Sequence, residues 1–318
     1  MNLGIAGEFR CVVLKEDGSI KEDTGYQRNL LLDQGLEFFG GNHGSSLSLK
    51  LLVGSGNSTP KENQTSLDSP VKVASSTTVS SDYSYVDGGD GLYKFWEEKV
   101  YRFTDIGNVN ISELGLASSR SSSSSASVST TDYYLTTRAL IKNLSGNPTT
   151  ITLLEGEILD VYYKIHKVLD ISEKSAVINM TDGDGGSIPY NVKIKGSYVG
   201  VTSTNTVAGF SSYAASPTYV SDSEWKDVTA SPSGSRISNL ASVEPYVERS
   251  YKRVYKISIG LNDANMEIRT ICSGGSTHFT PFQARFGSVE DDSPIPKTAS
   301  DSFEVRFEMS WGRYLGEL

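Results

Sequence analysis

Cysteine is nearly absent from this chain. Two residues, Cys11 and Cys272, stand at opposite ends of the 318. They are too few to define a disulfide framework, and each sits among strand-like neighbours that predict a buried, reduced thiol. Histidine is as scarce: His43, His166 and His278 are far apart, with no His-X-X-X-His or Cys-X-X-Cys spacing to hold zinc. The abundant serines include no Gly-X-Ser-X-Gly elbow, so a Ser/His/Asp triad has no local signature. Basic charge is in deficit, with 29 Lys and Arg against 38 Asp and Glu, for a net charge of -9 and a pI near 5.0. Such a chain is repelled by phosphate backbones. No cluster of Lys and Arg interleaved with aromatics reverses that, so nucleic acid is not an expected partner. Apolar runs of about 18 residues are missing, so no membrane insertion by helix is expected. The opening MNLGIAGEFRCVV lacks the basic, apolar, small-residue order of a signal peptide, which predicts synthesis and folding in a cytoplasm.

What the chain does have is period-two patterning. Phe303, Val305, Phe307, Met309 and Trp311 alternate with Glu304, Arg306, Glu308 and Ser310, the pattern of a strand with one buried face. Leu159, Val161, Tyr163 and Ile165 repeat it, as do Tyr255, Ile257 and Ile259, and Val192 with Ile194. Shorter strands are predicted at residues 8–14, closed by the turn Glu16-Asp17-Gly18, and at 99–103, 137–142 and 150–154. One helix is predicted, from Asn29 as N-cap through Leu30, Leu31, Leu32 and Leu36 to Phe39, stopped by Gly40-Gly41. One short helix among many strands predicts an all-β fold of two β-sandwich-like domains joined by long polar loops. The boundary is placed at the polar connector after Lys167, giving an N-terminal β-domain over 1–167 and a C-terminal β-domain over 168–318. The Ser-rich stretch 118–131 offers little to bury and predicts a long polar loop or arm able to reach a neighbouring subunit; 208–238 is a second weak region. No fixed repeat marks a fibre shaft or propeller.

Several motifs invite chemistry. Val53-Gly54-Ser55-Gly56-Asn57-Ser58-Thr59-Pro60 resembles a phosphate loop but lacks the Lys-Ser/Thr of one, and reads better as a turn whose glycines supply positive φ. Asp182 and Asp184 in Thr181-Asp182-Gly183-Asp184-Gly185-Gly186-Ser187 have calcium-like spacing without the terminal bidentate Glu, and a hairpin turn explains them. In Phe95-Trp96-Glu97-Glu98 a strand sends the two carboxylates to opposite faces, which is wrong for joint attack on a glycosidic bond. Sugar stacking around Trp96 or Trp225 is the functional alternative to packing there. Asn143-Leu144-Ser145 is a sequon in a chain without a secretory signal. No catalytic, cofactor or metal residues are assigned, and no cofactor is expected.

An ordered series of short motifs resembles a group of bacteriophage tail-associated structural proteins. It opens with Gly7-Glu8-Phe9 and Asp17-Gly18, then Thr24-Gly25-Tyr26 and Asn29-Leu30-Leu31-Leu32-Asp33-Gln34-Gly35-Leu36. It continues through the Val53 to Pro60 segment, Gln64-Thr65-Ser66-Leu67, Tyr101-Arg102-Phe103 and Asn110-Ile111-Ser112-Glu113-Leu114-Gly115. It closes with Thr137-Arg138-Ala139-Leu140-Ile141, Gly146-Asn147-Pro148-Thr149-Thr150-Ile151 and Leu159-Asp160-Val161-Tyr162-Tyr163. The ending Pro294-Ile295-Pro296-Lys297-Thr298 with Trp311-Gly312-Arg313 is similar too, whereas residues 170–250 find no counterpart. The order carries the likeness, since no single motif is specific.

The resemblance implies a non-enzymatic component of a tailed phage virion, made in the host bacterial cytoplasm and assembled in the tail, collar or baseplate. Expected partners are copies of itself in a symmetric ring and other tail or neck proteins, contacted by strand edges and Tyr-rich faces. The alternatives are a host-glycan-binding fibre or tip module and a capsid decoration or head-fibre protein.

Overall fold

The computed structural model describes residues 2–40, 50–77, 86–87, 91–119, 132–170, 172–181, 185–196, 218–227, 234–237, 241–273 and 282–318. The fold is all-β, with the single helix Asp33–Gly40 among the described residues. No helix among them is long and apolar enough to cross a membrane. The expected alternations are present. Phe303, Phe307, Met309 and Trp311 are buried in strand Phe303–Arg313, while Glu304, Arg306 and Glu308 face solvent. Leu159, Val161, Tyr163 and Ile165 line the inner face of Ile158–Asp170, and Tyr255, Ile257 and Ile259 that of Lys252–Ile259.

Long strands stack at the centre of a 15-stranded sheet. Asn2–Leu14 lies between Ile158–Asp170, antiparallel along its whole length, and Phe303–Arg313, which pairs parallel with it from Asn2↔Ser310 to Ile5↔Arg313. Leu92–Phe103 follows on the far side of Ile158–Asp170, and the path runs on through Pro70–Thr77, Lys50–Gly54, Glu113–Ser119 and Thr137–Leu140 to Leu30–Leu31. The sheet folds back over itself. The Tyr163 hydroxyl reaches across to donate to Thr137 Oγ1 at 3.0 Å, and Phe9, Val161, Tyr101, Leu114 and Ile141 share one apolar core.

A second sheet of six strands, ordered Lys174–Thr181, Ser187–Lys195, Phe282–Ser288, Thr270–Ser273, Thr218–Ser221, Ser235–Ile237, packs on the wing made by Lys252–Ile259 and Phe303–Arg313. Phe282 meets Phe307 at 4.2 Å between ring centres, and Phe286 meets Phe303 edge-on at 5.6 Å.

Three boundaries shift from the expected ones. The border placed at Lys167 falls inside Ile158–Asp170, because that strand stays paired with its neighbour to Asp170. The helix starts at Asp33 rather than after Asn29. Leu30 and Leu31 pair with Arg138 and Thr137, so their backbone belongs to the sheet, and Leu32 offers the carbonyl that accepts the first helical N–H groups. In the Ser-rich stretch, Ser118 and Ser119 continue strand Glu113–Ser119, and residues 120–131 lie outside the described ones. Of the weak region 208–238, residues 218–221 and 235–237 are strands; 208–217, 228–233 and 238 lie outside the described residues.

Trp311 is one of the side chains that lock the C-terminal strand to the helix. Trp311 is buried, its indole N–H donates to the Leu36 carbonyl at 2.9 Å, and its ring lies 5.6 Å from that of Tyr246. Removing it leaves a cavity at the junction of helix, sheet and C-terminus. Trp311→Ala is expected to cost about 3–5 kcal/mol, read as a fall in the urea unfolding midpoint.

Candidate functional site

The most deeply buried ion pair of the described residues lies beneath the segment 55–69. Glu113 opens strand Glu113–Ser119 and pairs with Gly54 on one side and Leu140 on the other; Arg138 lies on Thr137–Leu140. Both are 0% exposed. Arg138 donates from Nε at 2.9 Å and Nη2 at 2.7 Å to Glu113 Oε2. The carboxylate also accepts from the backbone N–H groups of Gly56 at 3.1 Å, Asp68 at 3.2 Å and Ser69 at 2.9 Å. Arg138 reaches on to Ser58 Oγ at 3.2 Å and Asp68 Oδ2 at 2.7 Å. A small apolar cluster including Leu52, Leu67, Ala117 and Leu135 seals the same segment to the sheet.

This geometry explains Gly54 and Gly56 differently from the sequence expectation. Neither residue has positive φ. A Cβ on Gly56 would stand 2.4 Å from Glu113 Oε1 and one on Gly54 2.7 Å away, so glycine is required for close approach to the carboxylate. Chemically the node is saturated. Its carboxylate is paired, fully hydrogen-bonded and shut from solvent, so it holds chain segments together and presents nothing to a substrate.

The opposite-face reading of Glu97 and Glu98 agrees with the structure. Glu97 is buried with Lys99 Nζ 3.6 Å away, and Glu98 meets the Tyr26 hydroxyl on the other face. Trp96 is not a bare stacking platform: Lys164 Nζ lies 4.7 Å from its ring and 3.9 Å from that of Tyr26. Trp225 likewise has Lys195 Nζ at 4.4 Å. Each cation occupies an aromatic face that a sugar would use. On the same surface as Trp96, His166 Nε2 lies 2.9 Å from Glu8, a hydrogen bond that holds the Glu8 carboxyl below its usual range.

Cys11 and Cys272 are buried free thiols, and burial pushes the Cys11 thiol up. His43, His278, Asp182 and Asp184 lie outside the described residues, and among those described no group of three or more His, Cys, Asp or Glu can hold a metal. The Asn143 side chain is engaged in its own turn, accepting from the N–H groups of Ser145 at 3.0 Å and Asn147 at 3.1 Å.

A cleft of about 850 Å³ was not foreseen. It opens between the helix and residues 245–253, lined by Gln34, Glu37, Thr65, Tyr246, Arg249 and Tyr251 among others. Glu37 Oε1 accepts from the Tyr246 hydroxyl at 3.1 Å and the Arg249 N–H at 2.6 Å, and Arg249 and Tyr251 hold positive φ of 61° and 49°. Its walls come from segments distant in sequence, so no local pattern announces it. Open and mixed in polarity, it suits the insertion of a neighbouring loop better than enclosure of a small apolar ligand.

Two expectations test this account. Arg138→Met leaves a buried carboxylate without its cation and should cost about 3–5 kcal/mol in urea unfolding; Glu113→Gln leaves Arg138 its contact with Asp68 and should cost less, and the two together should cost less than the sum of the singles. The second concerns Lys167, buried on the inner face of Ile158–Asp170. Burial pushes its ammonium down to about 7, against the opposing pull of Glu97. The unfolded chain keeps that proton to about 10.5, so between these values it binds more protons than the folded one, and the folded state gains stability as pH rises. Lys167→Met should therefore raise the unfolding midpoint more at pH 6 than at pH 9.5, and an equal gain at both would contradict it.

No protein-family profile, curated protein or solved structure matches this chain.

Proposed function

We propose that this chain is a non-enzymatic structural component of a tailed bacteriophage particle, assembling in the tail, collar or baseplate through contacts with copies of itself and with neighbouring tail proteins. One observation carries the reading: the motifs that resemble the tail-associated group meet in space and are used up in architecture. The Val53 to Pro60 segment, Ser112-Glu113-Leu114-Gly115 and Thr137-Arg138-Ala139 together build the Glu113–Arg138 node. Gly7 and Asn29, from two other motifs, meet where the Asn29 N–H donates to the Gly7 carbonyl at 3.1 Å. A Cβ on Gly7 would fall 2.5 Å from Asn29 Oδ1 and 2.9 Å from the Tyr163 hydroxyl, in a third motif.

Residues that carry a resemblance and also converge on buried structure specify a fold rather than a reaction. The surface is then left for protein contacts, which suits a building block repeated in a particle. The lysine-covered indoles weigh against the glycan-binding alternative.

The test is immunogold labelling of virions of the encoding phage with antibody to this chain. Gold on the tail, neck or baseplate is the expected result. Gold confined to fibre tips would replace the reading with receptor binding, and gold on the head surface with decoration. An antibody that finds the chain in neither intact nor denatured virions would end the virion reading.

A further inference from the structure

The sheet edges of this molecule are unequal. Among the described residues four strands end the two large sheets, and three of them are short: Leu30–Leu31, Ala241–Val243 and Ser235–Ile237 have two or three residues. The fourth, Lys174–Thr181, is eight residues long, and its outer side has no partner strand among the described residues. It pairs only inward, with Ser187–Lys195, from Lys174↔Ile194 to Thr181↔Ser187. Six of its eight residues are exposed, Val177 at 60%, and Ile188 on the neighbouring strand is 41% exposed. An edge of this length offers a row of unsatisfied N–H and C=O groups, the template for pairing with another strand. The usual guards are sparse: there is no proline in it, and its one charge, Lys174, is at the end and already paired with Asp170 at 2.7 Å.

We propose that the outer edge of Lys174–Thr181 pairs antiparallel with the same strand of a second copy of this chain, joining two six-stranded sheets across a two-fold axis. The inference rests on the self-assembly in the proposed function and names the surface that performs it. Length supports this occupant, because the other strands that end the two large sheets are only two or three residues long. Charge supports it too. Opposed residues in an antiparallel pair share a face, so a two-fold pairing overlaps seven of the eight residues and sets either Val177 or Ile178 opposite its own twin. Centred on Val177, Ala176 meets Ile178, Ser175 meets Asn179 and Lys174 meets Met180 at each end; centred on Ile178, Ala176 meets Met180 and Val177 meets Asn179, and neither register sets one charge against another. The two Lys174 ammonium groups fall at opposite ends, roughly 20 Å apart at 3.4 Å per residue, beyond the screening length of about 8 Å. A parallel pair would instead bring them together.

A strand pair of this size is small beside the ≈ 800 Å² per partner of a stable interface. It exchanges in dilute solution and is held in an assembly by the other contacts there. A covalent trap therefore suits it. Four single variants of the full chain, Ala176→Cys, Val177→Cys, Ile178→Cys and Asn179→Cys, are oxidised under mild conditions, with the buried Cys11 and Cys272 left in place. Only a residue on the axis meets its twin. The expected result is a disulfide-linked dimer at position 177 or 178, formed on the order of tenfold or more faster than at the other three.

Equal slow cross-linking at all four positions, or none, overturns the proposal. The trap uses purified chain and the gold labelling uses virions, so either idea can fail while the other stands. A dimer trapped at 177 with no gold on any virion would leave the edge contact and remove the phage assignment.

Discussion

The buried pair of Glu113 and Arg138 is the constraint on which the first half of the molecule depends. Taking both charges out of water costs several kcal/mol per ion before any gain. The folded state tolerates them because five donors converge on one carboxylate. Three of those donors are backbone N–H groups at Gly56, Asp68 and Ser69, so the segment 55–69 is forced back over the sheet to supply them. That segment in turn places the Glu62 carbonyl to accept from the Asp33 N–H at 2.8 Å, where the helix starts. Arg313 then draws the C-terminal strand to the same point, donating to the Leu31 carbonyl at 2.7 Å and to Asp33 at 2.5 Å. A chain of polar contacts thus runs from the node to the C-terminus.

The node also separates what was legible in the sequence from what was not. Period-two alternation needs only neighbours in the chain, and it located Phe303–Arg313, Lys252–Ile259 and the inward face of Ile158–Asp170. The node joins residues 25 and 57 positions apart, and nothing near Glu113 distinguishes it from a surface carboxylate. The glycines of the Val53 to Pro60 segment looked like turn residues because positive φ is the commoner reason for glycine there. Their actual reason, an oxygen 2.4 Å from an imagined Cβ, is a tertiary fact. The helix start misled for a similar reason: Leu30 and Leu31 have helix-forming side chains, and their commitment to the sheet comes from Thr137 and Arg138. The cleft shared by Glu37, Tyr246 and Arg249 lay beyond reach because its walls are more than 200 residues apart in the chain.

Bringing the chain ends together shapes the second half. Asn2–Leu14 has a strand from the middle of the sequence on one side, Ile158–Asp170 by antiparallel pairing, and one from its end on the other, Phe303–Arg313 by parallel pairing. The six-stranded sheet covers the wing that Phe303–Arg313 and Lys252–Ile259 extend from the main sheet. The two halves therefore share backbone hydrogen bonds as well as an interface. An N-terminal piece ending near residue 170 would leave the Asn2–Ile5 edge open to pairing in place of Phe303–Arg313.

Symmetry limits what each surface can contribute to an assembly. An edge that pairs with its own twin makes an isologous contact, which joins copies in twos and stops. A ring needs a heterologous contact between different surfaces of successive copies. The surfaces left for that task are the face bearing Trp96, Lys164, Tyr26 and Glu98 and the cleft beside Glu37 and Arg249. Much of the polar surface of both is already internally paired, which favours contacts that rearrange little and trade one hydrogen bond for another. A ring built this way would use the cleft or the aromatic face within a ring and the Lys174–Thr181 edge between two rings facing each other, and the assembly would close there.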